Sequence, residues 1–235
     1  MKAIAILGLA AAVFASGASA ADLAIPAAPD KVIDMASSGW DGFYIGVNVG
    51  GGRAHRSGTS ILGPAGGGGP TVGQWDYDLT GGLIGAQAGF NYTLTDNFLV
   101  GVEVSGDVAN IHGNDYDPNL NPGGGDSNYN WLAMATAKLG YSTGNFLVYV
   151  DGGYAMAGLN FNGSLGCNFN ETDGGFTAGV GVSAKLTNNI SADLNYHHVW
   201  FPDATSSCSA FFTPVTVQNT APSMDLVKLG LNYHF

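Results

Sequence analysis

The chain has 235 residues, of which 37 are glycine, 46% are hydrophobic and only 11% are charged. About a quarter of the residues are charged in a typical soluble protein, so this composition is unusual for that class. The formal charge of −11 comes from acids that cluster outside the predicted strands, which makes the chain a poor binder of nucleic acid.

Residues 1–20 have the pattern of a secretory signal peptide. A lysine at position 2 starts the segment, an apolar stretch follows over 3–15, and small residues at 18–20 form a cleavage site. Outside this segment no window of about 20 apolar residues exists, so the sequence predicts no helical membrane span. Residues 21–40 contain prolines and no sustained alternation, which predicts a periplasmic arm.

The remainder, 41–235, contains eight segments in which apolar and polar residues alternate. Alternation with a period of two is typical of strands that bury one face in an apolar environment. In the first segment Phe43, Ile45, Val47 and Val49 share one face. The eight segments lie near 42–52, 82–94, 98–109, 129–141, 146–158, 176–186, 190–200 and 226–235.

The connections between these segments alternate in length. Three are short, at 95–97, 143–145 and 187–189, and four are long, at roughly 53–80, 111–128, 159–174 and 202–222. Membrane barrels have short turns on the periplasmic side and long loops outside. The sequence therefore predicts an all-β fold, an eight-stranded antiparallel transmembrane β-barrel with short periplasmic turns and long external loops. Ten strands remain an alternative if the first or the last long loop folds into its own hairpin.

Charged side chains within the strands fall on the inward face. A charge that faces lipid near the bilayer midplane costs about 2–4 kcal/mol for Lys or Arg, so this asymmetry is expected. An eight-stranded barrel is just wide enough for side chains to fill its interior. We therefore expect a charge network that plugs the lumen, rather than an ion path, formed by Glu103, Asp107, Lys138, Asp151, Lys185, Asp193 and Lys228.

The last strand ends on aromatic residues that share its apolar face. Leu229, Leu231, Tyr233 and Phe235 alternate with polar residues up to the final position. A closed barrel must pair its last strand with its first, because an open strand edge cannot be tolerated in lipid. Aromatic residues at strand ends also match the interfacial girdles of membrane barrels.

Two motifs resemble those of the small alphaproteobacterial outer-membrane β-barrel proteins, also described as porin-family or opacity-like surface proteins. They are W-D-G-F-Y-I-G-V-N-V-G-G-G at 40–52 and the terminal L-G-L-N-Y-H-F. The resemblance implies an abundant, surface-exposed barrel in the cell outer membrane, in contact with its lipid. It also implies that the barrel assembly machinery recognises the terminal strand. Members differ in role, being structural, adhesive, haem-binding or weakly pore-forming.

Cys167 and Cys208 are the two cysteines of the chain, and they are a departure from the pattern of that family. Export would place them in an oxidising compartment, where disulfides persist. Their loops emerge on the same side of the barrel and next to each other, so we predict a disulfide between them. The alternative is two free thiols.

Candidate reaction centres and ligand sites in the sequence are weak. His197 and Asp193 share the inward face four residues apart, which favours a buried hydrogen bond over a catalytic triad. His112 and His198 could capture haem at the surface, although a solvated histidine explains each of them more simply. We therefore expect no catalytic residues, cofactor or metal. The predicted role is envelope integrity or loop-mediated contact, with a small diffusion channel or a haem-binding protein as the alternative and a lipid-modifying enzyme as a remote one.

Overall fold

The computed structural model describes residues 39–63, 70–117, 121–163, 168–210 and 213–235. Within these ranges no helix is long and apolar enough to cross a membrane. The described residues form nine strands: β1 Gly42–Leu62, β2 Thr71–Thr93, β3 Phe98–Asp117, β4 Asn121–Ser142, β5 Phe146–Gly163, β6 Asn168–Lys185, β7 Ile190–Trp200, β8 Ala204–Ala210 and β9 Thr213–His234. The predicted signal peptide and most of the predicted arm lie outside the described residues.

Eight of these strands close into a ring. Each strand from β1 to β7 pairs antiparallel with the next, β7 pairs with β9, and β9 pairs with β1. The closing pair extends from Tyr44, opposite His234, to Leu62, opposite Val215. β8 adds no ninth position to the ring, because its backbone pairs only with the outer part of β9. The prediction of an eight-stranded antiparallel barrel is therefore confirmed.

The outward face of the ring is apolar, as the alternation predicts. In β1 the residues from Phe43 to Val49 alternate between exposed apolar side chains and inward polar ones. The exposed fraction reaches 66% for Phe43, 70% for Val108 and 72% for Phe176. Such a continuous exposed apolar surface is abnormal for a monomer in water and normal for a wall that faces lipid.

The strands are longer than the sequence predicts, because much of the four long connections is also strand. β1 and β2, for example, remain paired from Arg53, opposite Thr80, to Leu62, opposite Thr71. These segments are rich in Gly, Ser and Asn, which favour turns in a sequence reading, but cross-strand hydrogen bonds keep them extended. The ring therefore continues as paired hairpins beyond the exposed apolar surface, which we call the apolar belt. We call the end of the ring that carries these hairpins the loop end. The opposite end, which carries the turns at 94–98, 142–146 and 186–190, is the turn end.

A bulge in β9 separates the two parts of the wall. The register between β1 and β9 shifts between His55 and Ser57, where β9 contains Pro222. Proline lacks a donor N–H and is tolerated in sheets mainly at edges and bulges. Its carbonyl accepts a hydrogen bond from the Phe201 amide at 3.0 Å, in the short link that separates β7 from β8. The bulge thus marks the level at which β7 ends and β8 takes over beside β9.

Candidate functional site

The lumen is filled at its middle by a layer of polar side chains, called here the polar layer. Its side chains occupy the inward positions of the strands, which alternate with the outward positions of the apolar belt. Most of its side chains are shielded from solvent although several are charged. Its members include Tyr44, Asn48, Gln87, Glu103, Ser105, Asp107, Lys138, Asp151, Asp193, His197, Lys228 and Asn232.

Lys138 of β4 connects opposite walls of the ring. Its ammonium donates to Glu103 at 3.0 Å and to the Tyr44 hydroxyl at 2.9 Å. It also lies 4.6 Å from the ring centroid of Tyr149 on β5, while Tyr44 belongs to β1. Strands one and five face each other across an eight-stranded ring. A chain of side chains in contact therefore crosses the whole lumen at this level.

Two glycines make room for the tyrosines of this crossing. Gly89 lies opposite Tyr44 in the β1–β2 register, and Gly181 lies opposite Tyr149 in the β5–β6 register. A Cβ atom at either glycine would overlap the tyrosine ring. Part of the high glycine content thus follows from packing large side chains against the inner wall.

Two further carboxylates are bound within the polar layer. The Lys228 ammonium lies 3.2 Å from Asp107 and 3.3 Å from the Ser105 hydroxyl. Asp193 accepts hydrogen bonds from the Tyr149 hydroxyl at 2.9 Å and from the Ser183 hydroxyl at 2.6 Å, and Asn195 donates to it as well. Pairing of this kind offsets part of the cost of removing charges from water.

The predicted hydrogen bond between His197 and Asp193 is wrong. The His197 ring nitrogen Nε2 instead contacts Asp151 of β5 at 3.0 Å. Residues four apart in a strand are separated by about 13 Å, which is too far for a direct bond between these side chains. The cross-wall partner is closer, because β5 and β7 flank the same intervening strand. Lys185 lies apart from the polar layer, at the turn end, with its ammonium 5.1 Å from the Trp40 ring.

Above the polar layer, toward the loop end, the lumen contains an apolar layer. This layer is absent from the sequence predictions, in which polar side chains fill the inward face. β1 to β5, β7 and β9 contribute, and the members are almost completely inaccessible to solvent, with Ala54, Leu79, Ile111 and Leu226 at 0%. The cluster consists of Ala54, Leu79, Leu83, Ala109, Ile111, Tyr129, Leu132, Met134, Ala155, Ala157, Leu159, Val199, Phe201, Met224 and Leu226.

Arg56 caps the apolar layer from the loop end. Its guanidinium donates to the Tyr129 hydroxyl at 2.9 Å and lies 3.4 Å from Asp173 of β6. Tyr129 also donates to Asp173 and stacks on Phe201, with ring centroids 6.2 Å apart. Burial raises the pKa of the Asp173 carboxyl. These residues escaped the sequence analysis because Arg56 and Asp173 fall in segments predicted to be loops.

Trp40 fills the lumen at the turn end. Its side chain is 1% exposed and packs with Leu99, Leu147 and Tyr149. The indole N–H donates to the Gly144 carbonyl at 2.9 Å, and the ring contacts His234 edge-on. His234 in turn lies 2.9 Å from the Ser191 hydroxyl. A catalytic triad needs one histidine that contacts both a carboxylate and a serine. Here His197 contacts the carboxylate and His234 contacts the serine, so the two contacts belong to different histidines.

Comparison with known proteins identifies the family. The model of the outer membrane protein beta-barrel domain matches residues 7–235. The chain belongs to this outer-membrane β-barrel family. The 31 kDa outer-membrane immunogenic protein of Brucella melitensis is 27% identical to it over 251 residues, which cover 100% of both chains. The 22 kDa outer membrane protein of Rhizobium leguminosarum bv. viciae is 30% identical over 160 residues, which cover 68% of this chain and 63% of the relative.

Among solved structures, Neisserial surface protein A aligns with a TM-score of 0.49 and 13% identity over 83% of this chain and 98% of that one. The resemblance to small alphaproteobacterial outer-membrane barrels and the predicted location in the outer membrane are both confirmed by the family match and the sequence relatives. In such barrels the short turns are periplasmic and the long hairpins are external. The loop end of this outer-membrane β-barrel protein is accordingly its external end.

At the external end of this outer-membrane β-barrel protein, outward positions become charged where the apolar belt stops. Arg53 donates to Asp78 at 2.7 Å, and this hydrogen bond holds the pKa of Asp78 below its usual value. Asp225 accepts from the Tyr196 hydroxyl at 2.6 Å, which lowers the pKa of Asp225, and His198 contacts the same carboxylate. We expect these groups to lie at the level where polar lipid headgroups replace hydrocarbon.

The residues of the predicted terminal signal all face outward in β9 or at its end. Leu229, Leu231, Tyr233 and Phe235 are each about half exposed or more. The Phe235 amide donates to the Phe43 carbonyl at 3.1 Å, so the final residue is tied to the first strand. Recognition by the assembly machinery remains a prediction.

The described residues include both haem candidates, His112 and His198, but only one of the two cysteines. His112 lies in β3 with an exposed side chain, and His198 is engaged by Asp225 and by the ring of Trp200. Among the described residues no three His, Cys, Asp or Glu side chains converge as a possible metal site. Cys167 lies outside the described residues, and Cys208 belongs to β8. The disulfide remains a prediction.

Proposed function

We propose that this protein is a closed, non-enzymatic surface barrel that supports envelope integrity and makes contacts through its external hairpins. The observation that carries this proposal is the pair of stacked layers in the lumen. The polar layer joins opposite walls through Lys138, and the apolar layer above it has members at 0% exposure.

Closed packing in the lumen favours this role over a diffusion channel. A solute path needs a continuous file of water, whereas Lys228 is 1% exposed and Leu226 is 0% exposed. Removing the buried lysine from its carboxylate would leave an unpaired charge, which resists spontaneous opening of the polar layer. Above it, an apolar constriction would also repel ions by excluding water.

The envelope role can be tested in a strain that lacks the chain. We expect such a strain to take up the dye N-phenyl-1-naphthylamine faster and to lose resistance to detergent. Expression of the wild-type chain should reverse both changes. Uptake equal to that of the parent strain would contradict the envelope role.

A trimmed variant tests the contribution of the first external hairpin. In it, residues 57–76 of the first hairpin are replaced by a two-residue Asn-Gly turn, which suits a tight β-hairpin. Full restoration of the envelope phenotype by this variant would show that the first hairpin is not required for the role. Failure of a correctly assembled variant would assign part of it to the hairpin.

A further inference from the structure

The external wall lacks backbone pairing between β6 and β8 in the described part of the chain. β7 is bonded to β6 as far as Trp200, opposite Phe176, and ends there. β8 continues toward the external end at the same position of the ring, but its backbone pairs only with β9. Within the described residues no backbone pairing joins β8 to the external part of β6. We call this unpaired boundary the seam, and define it by residues 168–174 of β6 and Ala204–Ala210 of β8.

A side-chain bond bridges the seam. The Ser206 hydroxyl donates to Glu171 at 2.5 Å, so the two strands face each other without pairing their backbones. The two strand edges that border the seam differ in their residue types. The edge of β6 carries Glu171 and Asp173, and charged residues are a common protection of strand edges against unwanted pairing.

β8 has no such protection. Its sequence, A-T-S-S-C-S-A, contains neither a charged residue nor a proline. An unpaired edge presents a row of N–H and C=O groups that can template another strand. β8 is also long enough, at seven residues, to hold an added strand by main-chain hydrogen bonds.

The charge of the external segments restricts what could bind there. Segments 51–82, 109–130, 157–175 and 201–226 together contain two arginines and nine aspartates and glutamates, a formal charge of −7. Opposite charges on two partners speed their encounter, whereas like charges oppose binding. An acidic polymer would be repelled at this surface, whereas a basic one would be attracted.

We propose that the β8 edge of the seam is a docking site for an extended, positively charged polypeptide segment of a partner, which adds to the sheet as a strand. Glu171 would leave Ser206 to admit the added strand and would then face its basic side chains. This inference deepens the proposed contact role and rests on the external location of the seam. It does not depend on whether the lumen is closed, so the two can fail separately.

Hydrogen–deuterium exchange of the refolded full-length protein, kept reduced so that no disulfide crosses the seam, tests this proposal. The probe is the peptide acetyl-(Lys-Val)4-amide, with acetyl-(Glu-Val)4-amide as the control of opposite charge. We expect the basic peptide to slow amide exchange in Ala204–Ala210 by at least several-fold, and salt to weaken the effect. Unchanged exchange in β8 at saturating peptide, or equal protection by the acidic peptide, would overturn the proposal.

A matched pair of variants locates the effect. Ser207 has an exposed side chain in β8, so Ser207→Lys should repel the basic peptide while Ser207→Gln should bind it as the wild type does. Both variants must migrate as folded, heat-modifiable barrels to be compared. Equal binding by the two variants would place the peptide elsewhere and contradict docking at this edge.

Discussion

Lys228 of β9 and Asp107 of β3 form an ion pair across the lumen, with 3.2 Å between the ammonium nitrogen and the carboxylate oxygen. Their side chains are 1% and 0% exposed, and β1 and β2 lie between their strands in the ring. Removing one partner of a buried pair is strongly destabilising, because the other charge is left without compensation. The pair therefore offers a direct measure of how the lumen is held together.

We expect Lys228→Met to lower the free energy of unfolding by about 3–5 kcal/mol in urea-dependent folding into lipid vesicles. The double variant Lys228→Met, Asp107→Leu should recover most of this loss, because apolar replacement of both partners removes the unpaired charge. A loss below about 1 kcal/mol in the single variant would show that water reaches Asp107, in conflict with a closed polar layer.

The outward register can be tested with arginine. Val180 faces outward at 53% exposure within the belt, and Val180→Arg should destabilise the barrel by about 2–4 kcal/mol. The matched control is Asn110→Arg, which lies outward beyond the belt in β3 and should cost about 0–1 kcal/mol. Equal penalties at the two positions in the same refolding assay would show that the belt is misplaced.

The sequence predicts the wall of this barrel better than its interior. Residues such as Val102 and Val180 face outward because a period of two leaves them no alternative. The choice of partner inside depends on how the strands are staggered around the ring, which no local pattern contains. His197 thus meets Asp151 and not Asp193, its neighbour in sequence.

The apolar layer has a recognisable pattern in the sequence. At the external ends of the strands both faces become apolar, as in Leu83-Ile84 and Trp131-Leu132, so the alternation stops. Such a run is typical of a strand that is buried on both sides. Arg56 could not be assigned in the same way, because its role depends on the continuation of β1 through a segment that reads as a loop.

Deletion of Phe235 should block assembly while export continues. Its ring faces outward at 71% exposure beside Tyr233, and its amide closes the ladder onto Phe43. The measurement is the amount of heat-modifiable protein in outer-membrane fractions, with Phe235→Tyr as the conservative control. Normal levels of the deletion variant would contradict a role for the terminal residue in assembly.

A disulfide between Cys167 and Cys208 would tie β8 to the residue before β6, so docking of an added strand in the seam is expected only for the reduced chain. Cys167 immediately precedes β6, Cys208 lies within β8, and the Ser206–Glu171 hydrogen bond already connects these strands. Closing a loop of about 40 residues is expected to contribute roughly 3–4 kcal/mol by restricting the unfolded chain. Mass spectrometry of the unreduced protein after alkylation decides the question. Modification of both thiols would refute the crosslink.

The central claim is that the two layers close the lumen, and single-channel recording of the purified, refolded protein in a planar lipid bilayer tests it most directly. A general porin, reconstituted in the same way, serves as the positive control for insertion. We predict that the bilayer current stays at its baseline after insertion, which is verified separately by protease protection of the barrel. Regular unitary current steps from the folded wild-type protein would contradict a closed lumen.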